Sequence, residues 1–412
     1  MEQPHFGRRL RQMRTERGLS QAALAGDGMS TGYLSRLESG ARRPTERAID
    51  YLTQRLDVDR SKFDEPASKS LLHMLAIASS SDGMGLSEEV GGLLQASSTE
   101  EPALRWQGFW LVAQRRLQQG RLDEARSFLE QAVRIADDLD IPELRCRART
   151  QLARCLRSLG EINGALAAAE EAYRASRGAD LSVQDIGAAL LALISTEGEA
   201  GRLPDARAHA DEILELTGEG AGPLAAEARW ASATVRVRQG DYAGAQELFG
   251  QALDRLASTD DLLLWVRLRL AAASLSLQSQ PPLIERAAEL LTEAEPAIAL
   301  IGTEVARQEL ATLKAHLAHH EGRPEDARKI IESIRREPLR ITHRDSIRLR
   351  ILEAQLMITE GRLSEGADRL REMGEEAQRA ANVDLAAEAW RLLAESLTQG
   401  RADAWPDARG TP

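Results

Sequence analysis

Only two cysteines, Cys146 and Cys155, occur in 412 residues, so a disulfide framework is excluded. Read as one helix, the segment between them holds them about 13 Å apart along its axis, too far to bridge. No run of about 18 apolar residues exists to span a membrane. The start, Met1-Glu-Gln-Pro-His-Phe-Gly-Arg-Arg9, lacks the apolar core of a signal peptide. The expectation is a cytoplasmic protein with no membrane partner. Lysine stands only at positions 62, 69, 314 and 329, which reads as the coding bias of a GC-rich genome and not as function.

Catalytic constellations are missing too. The dipeptide Gly-Lys never occurs, which excludes a phosphate-binding loop of the P-loop kind. There is no His-Glu-x-x-His and no Gly-x-Ser-x-Gly. Neither an enzyme nor a cofactor is expected. The nearest approach to a metal site is His316-x-x-His319-His320. Partly positive histidines suit the last turn of a helix, so a solvated helix end is expected there and no metal.

What is present is a beat. Glycines stand at 120, 160, 201, 240, 322, 361 and 400, spaced by 39 to 41 residues with one double gap. Similar phrases follow: Gly120-Arg-Leu-Asp-Glu-Ala125, Gly160-Glu-Ile-Asn-Gly-Ala165, Gly201-Arg-Leu-Pro-Asp-Ala206, Gly240-Asp-Tyr-Ala-Gly-Ala245, Gly322-Arg-Pro-Glu-Asp-Ala327 and Gly361-Arg-Leu-Ser-Glu-Gly366. A period of this length indicates stacked repeats, which bind along a curved surface. Charge is uneven as well. Residues 1–63 hold 12 Lys and Arg against 8 Asp and Glu, a balance of +4; with a total of −11, the rest carries −15. A basic head on an acidic body suits nucleic-acid contact confined to the head.

In the head, residues 1–63, Phe6 to Arg17 reads as an amphipathic helix ended by Gly18. Ser20 caps a second helix, Gln21-Ala-Ala-Leu-Ala25, and Gly26-Asp-Gly28 makes the turn. Ser30 caps a third helix, Thr31 to Ser39, and a fourth runs from about Thr45 to Leu56. The stretches Gly18-Leu-Ser-Gln-Ala-Ala-Leu-Ala25, Met29-Ser-Thr-Gly-Tyr-Leu-Ser-Arg-Leu-Glu-Ser-Gly40 and Arg42-Arg-Pro44 resemble the phage-repressor/Cro-like (XRE) helix-turn-helix family over residues 6–60. The resemblance implies a partner, a double-stranded DNA operator. It places Gln21 on a phosphate and Thr31, Gly32, Ser35 and Arg36 at the groove, with the cap Ser30 among the DNA-binding residues. Tyr33, Arg42 and Arg43 hold the backbone. Arg36 is the one group able to grip a guanine bidentately. Glu38 is expected to pair with a nearby arginine.

Residues 64–104 read as a helical linker, with short helices over 67–79 and 86–96 among Ser, Gly and Pro punctuation. Residues 105–400 form the repeat body. Each unit reads as helix A, a glycine turn and helix B. Small residues such as Ala113, Ala125 and Ala132 sit where helices cross. The fifth unit lacks the turn glycine, at Gln278-Ser-Gln-Pro-Pro282. Residues 401–412 read as a disordered tail. The body resembles the tetratricopeptide family. The fold class expected is therefore all-α, a Cro-like bundle followed by a right-handed α-solenoid of about seven to eight helical hairpins.

In such a superhelix helix A lines the inner surface. Counting along each unit places Gln107, Trp110 and Gln114 there from the first, and Arg147, Thr150, Arg154 and Arg157 from the second. Glu227, Trp230 and Thr234 follow from the fourth, and Arg348 and Gln355 from the seventh. Glu309, Thr312, His316 and His319 fall on the same face, and Trp390 recurs with Trp110 and Trp230 at the same position of the unit. Aromatic, Arg and Gln side chains can grip an extended peptide, and Arg147, Arg154 and Arg157 can anchor a carboxylate. Inter-helix packing and a solvated face are the alternative for each residue.

A Cro-like head on a tetratricopeptide-like body is similar to the Rgg/PlcR-type peptide-sensing regulators. That resemblance implies a homodimer on a two-fold operator, with half-sites about one helical turn apart, and a small peptide effector. A body that docks another protein, favoured by a long acidic groove, is the open alternative.

Overall fold

The computed structural model describes residues 5–63, 71, 74–75, 89–92, 94, 101–178, 180–279 and 281–404. The helices expected over 67–79 and 86–96 fall largely outside the described residues. The chain divides into two compact units, residues 1–93 and 94–412. Among the described residues it is all helix, turn and coil, without strands.

The first unit contains α1 (His5–Glu16), α2 (Gln21–Ala25), α3 (Thr31–Glu38) and α4 (Glu46–Leu56), closed by a 3-10 turn at Arg60–Phe63. Its starts are set by side-chain caps. Ser20, Ser30 and Thr45 each accept from the backbone N–H three residues on. Such a cap stabilises a helix by about 1 kcal/mol. Phe6, Leu10, Leu24, Leu34, Leu37, Leu52 and Phe63 are fully buried together, and the rings of Phe6 and Phe63 lie 5.0 Å apart.

The second unit is a run of helical hairpins. They are α5 (Pro102–Gln118) with α6 (Leu122–Leu139), α7 (Pro142–Leu159) with α8 (Ile162–Arg177), and α9 (Val183–Glu199) with α10 (Leu203–Thr217). Next come α11 (Pro223–Arg238) with α12 (Tyr242–Arg255), and α13 (Leu262–Gln278) with α14 (Ile284–Ile301). Then come α15 (Glu304–His320) with α16 (Pro324–Arg335), α17 (His343–Thr359) with α18 (Leu363–Arg379), and a last helix α19 (Val383–Ala404). The periodic small residues are the crossing points: Ala113, Ala125, Ala132, Ala153, Ala165, Ala233, Ala315 and Ala327 are all buried.

The glycine phrase has a backbone cause. In six turns the residue after the glycine donates its N–H back to the carbonyl five residues earlier. Arg121 donates to Arg116 at 2.9 Å, and Arg323 to Ala318 at 2.8 Å. This closure of a helix end needs a left-handed residue, which glycine adopts without strain. The turn of the fifth hairpin has none and closes instead through Leu283 N–H on the Ser276 carbonyl, 2.8 Å. Gly400 breaks the pattern. It lies inside α19, which runs on to Ala404, so the beat there marks no eighth turn. Helix occupies the first four positions of the segment read as a tail, and 405–412 lie outside the described residues.

The solenoid also meets itself. A Cβ placed on Gly160 would stand 2.4 Å from the ring of His343, and one on Gly201 3.1 Å from Val383. The turns of the early hairpins therefore abut the starts of α17 and α19.

Candidate functional site

In the helix-turn-helix, Ser30, Thr31, Gly32, Ser35, Arg36, Arg42 and Arg43 are exposed, and Tyr33 is half-buried. A side chain at Gly32 would touch nothing. The α3 face is thus a small-residue surface with Arg36 as its long cation. The Arg42 guanidinium lies 5.0 Å from the Tyr33 ring centroid, which ties the loop after α3 to that helix.

Behind this face is a polar staple. Glu38, 7% exposed, accepts from Arg14 Nε at 2.6 Å and Nη2 at 3.1 Å, and from Gln21 Nε2 at 2.8 Å. Arg14 also donates to the Leu19 carbonyl at 2.7 Å. The hydrogen bond to Glu38 raises the Arg14 pKa. One carboxylate therefore joins α1, α2 and α3. Gln21, expected on a phosphate, has its amide turned inward to Glu38, because an otherwise under-satisfied buried carboxylate is the stronger acceptor.

Sequence reasoning missed the support from α4. Tyr51 Oη donates to the Ala25 carbonyl at 2.8 Å and accepts from Gly28 N–H at 3.2 Å. Arg55 Nη2 donates to the Ala23 carbonyl at 2.7 Å. A Cβ on Gly28 would lie 2.0 Å from the Tyr51 ring. The two glycines of the turn were the visible half of this contact.

The repeat body holds a partly open cavity of about 490 Å³. Arg154, Arg157, Glu227, Trp230, Thr234 and Arg348 line it, with Leu117, Glu309 and Thr312. Gln107, Trp110, Gln114, Arg147, Thr150 and Gln355 do not. Arg147 forms a bidentate pair with Asp185, at 2.7 and 3.1 Å, joining α7 to α9. Thr150 is 4% exposed in the packing. Trp110 stacks on Trp106, centroids 5.3 Å apart. Gln107 and Gln114 lie on α5, of which only Leu117 reaches the lining, and Gln355 lies beyond the first turns of α17 that do. Trp390, half-buried, packs against the core of α17, α18 and α19.

The expected carboxylate anchor is thus divided among three fates. Arg147 belongs to Asp185. Arg157 pairs with Glu199 at 2.8 Å. Arg154 forms no ion pair among the described residues and makes one long bond, 3.4 Å, to the Ala188 carbonyl.

Around Glu199 stands a network that periodicity could not show. Arg344 approaches Glu199 at 3.7 Å and also pairs with Asp384, and Arg238 reaches Asp384 at 3.2 Å. Asn382 Nδ2 donates to Glu199 at 3.3 Å. Arg348 pairs with Glu388 at 3.2 Å. Burial alone would raise the carboxyl of Glu199, but Arg157, with Arg344 and Arg238, outweighs it and holds the group low. Asp384 is held low in the same way against its burial, by Arg344 and Arg238. The network bolts α7, α9 and α11 to α17 and α19.

His316, His319 and His320 are half-buried at the end of α15. Burial, with Arg348 nearby, pushes His316 down to about 3, and burial lowers His319 and His320 as well. Among the described residues no group of three or more His, Cys, Asp or Glu is placed to hold a metal ion. Desolvation raises Cys146 to about 11 and Cys155 to about 12, so both stay protonated packing groups. No helix, among the described residues, is long and apolar enough to cross a membrane.

Comparison with known proteins agrees with both halves. Residues 5–65 match the helix-turn-helix domain family, and residues 113–139 match the tetratricopeptide repeat family. No curated protein matches the chain. Among solved structures it is similar to a Rap protein complexed with competence and sporulation factor, 12% identical, covering 96% of this chain and 98% of that one, TM-score 0.52. The apo form of the quorum sensor NprR from B. thuringiensis is 15% identical, with 94% and 97% covered and a TM-score of 0.47. Bacillus thuringiensis PlcR, in complex with the peptide PapR7 and DNA, is 14% identical, with 76% and 98% covered and a TM-score of 0.40. The chain is a helix-turn-helix domain followed by a solenoid of tetratricopeptide-like hairpins.

Proposed function

We propose that this protein is a DNA-binding transcriptional regulator whose repeat body takes a small effector, a short signalling peptide, and changes its affinity for an operator in response. The observation that carries the reading is the cavity. It is about 490 Å³, within the roughly 300–1,000 Å³ of small-ligand sites, and its mixed polar and apolar lining comes from helices of several hairpins. A long acidic groove would suit a docked protein. The cavity lining is rich in arginine, with Arg154, Arg157, Arg238, Arg267, Arg344 and Arg348, which supports a small anionic ligand.

Thr31, Gly32, Ser35 and Arg36 form the proposed reading face, with Tyr33, Arg42 and Arg43 on the phosphates, and two copies bind a two-fold site. Gln21 acts here through Glu38, as a brace for α3, in place of direct phosphate contact. The effector must bind the two DNA-affinity states unequally to shift them, and the DNA then alters effector affinity by the same factor.

Operator selection from random duplexes followed by a titration tests this. The full-length protein is measured on its selected site with and without the small-molecule fraction of its host's extract. A shift in operator affinity is expected. A response to the macromolecular fraction alone would transfer the reading to protein docking, and no selected site would end it.

A further inference from the structure

The cavity holds charges that the body itself leaves unmatched. Arg154 and Arg267 line it, and neither forms an ion pair among the described residues. The Arg267 guanidinium lies 5.6 Å from the Trp230 ring centroid. Burial lowers the proton affinity of Arg154, Glu227 partly offsets this, and the neighbouring Arg267 and Arg157 add repulsion. Guanidinium groups of like sign facing one space, Arg154 half-buried and Arg267 exposed, repel each other unless an anion joins them. A carboxylate accepts from two guanidinium forks at once.

Opposite in sign, and in the same lining, stand Glu309 and Asp345. Glu309 has no hydrogen-bond or ion-pair partner among the described residues. Burial, reinforced by Asp345 and opposed by Arg267, pushes it up to about 7. Asp345 accepts from Thr342 Oγ1 at 2.6 Å and retains further lone pairs. An ammonium offers three donors and no acceptor, the complement of two carboxyl groups. A polyanion such as a nucleotide would meet repulsion from Glu227, Glu309 and Asp345, so an anion alone does not satisfy this lining.

We propose that the cavity binds a short peptide with both termini free, its carboxylate between Arg154 and Arg267 and its ammonium at Glu309 and Asp345. Trp230 offers a flat apolar wall to a side chain between the two ends. The inference rests on the effector reading and adds to it the charge pattern of the ligand.

Three pools of the same random tetrapeptides test it: free at both ends, amidated at the C-terminus, and acetylated at the N-terminus. Each pool is incubated with the full-length protein, and retained peptides are separated by gel filtration and counted by mass spectrometry. The free pool should be retained at least about tenfold over either capped pool, a difference of about 1.4 kcal/mol. Arg154→Gln should erase the preference for acid over amide and leave that for amine over acetyl. Glu309→Gln should do the reverse. Melting curves check that each variant folds, and Arg267→Gln, at an exposed position, serves if Arg154→Gln does not. Equal retention of capped and free pools overturns the zwitterion and leaves effector sensing intact. No retention from any pool also overturns it, while the extract titration decides effector sensing separately.

Discussion

At the scale of single residues, the head separates reading from holding. Arg36 is exposed on α3, whereas Arg43 lies in the loop that follows. Arg36→Ala should cost about 1–3 kcal/mol at one base pair and relax preference there. Arg43→Ala should weaken all sequences alike and flatten the salt dependence. Selection from random duplexes, with anisotropy at several salt concentrations, separates the two. If Arg36→Ala retains the wild-type preference, the register of the recognition helix is wrong. Glu38 supports that helix from behind. Glu38→Ala strands Arg14 and Gln21, and a loss of about 3 kcal/mol in the head is expected, read as a lower melting temperature for the first unit.

The helices and turns explain what was legible. Ser20, Ser30 and Thr45 are caps whose chemistry is local, so their positions fix α2, α3 and α4 from a few neighbouring residues. The glycine beat is legible for the same reason, since the backbone closure it serves links residues only five apart. Gly400 shows the limit: a glycine in phase marks a turn only where another helix follows to pack, and none does among the described residues. Self-contact of the solenoid was not legible. Gly160 against His343 and Glu199 against Asn382 join residues far apart in the chain, outside any repeat unit.

That difference can be measured with two turns. Gly160 and Gly322 both have positive φ, 83° and 74°. A side chain at Gly322 would meet nothing, while one at Gly160 would collide with His343. Gly322→Ala should cost about 1–2 kcal/mol, the left-handed backbone penalty. Gly160→Ala should cost clearly more, and urea midpoints of the two variants give the comparison. Equal losses would mean that the contact with α17 contributes nothing to stability.

At the scale of the whole repeat body, contacts between the early turns and the starts of α17 and α19 bring distant helices around one partly open cavity, and this shapes the candidate site most. Of the residues that counting along helix A places on the inner face, Arg154, Trp230, Thr234 and Arg348 line the cavity. Gln107, Gln114 and Gln355 lie outside the cavity lining. Counting could not supply Arg238, Arg344 or Asp384, whose partners come from the other end of the solenoid.

The cavity also gives stability a pH dependence. Glu309 titrates near 7 in the folded chain against an ordinary value of 4.5. Its protonated form is favoured by folding. The stability it contributes is complete below about 4.5 and is lost as pH rises through about 7. Asp345 adds repulsion and Arg267 opposes it, so the direction follows from burial and Asp345 together. Glu309→Gln should flatten the fall in melting temperature between about pH 5 and 8 by this group's share. An unchanged slope would place Glu309 in contact with bulk solvent.

The central claim, that the body holds a small effector, is met most directly by native mass spectrometry of the full-length protein purified gently from its own host. A protein peak carrying the added mass of a short peptide, readable by fragmentation, is the predicted result. A bare chain, or one carrying a whole second protein, would contradict it.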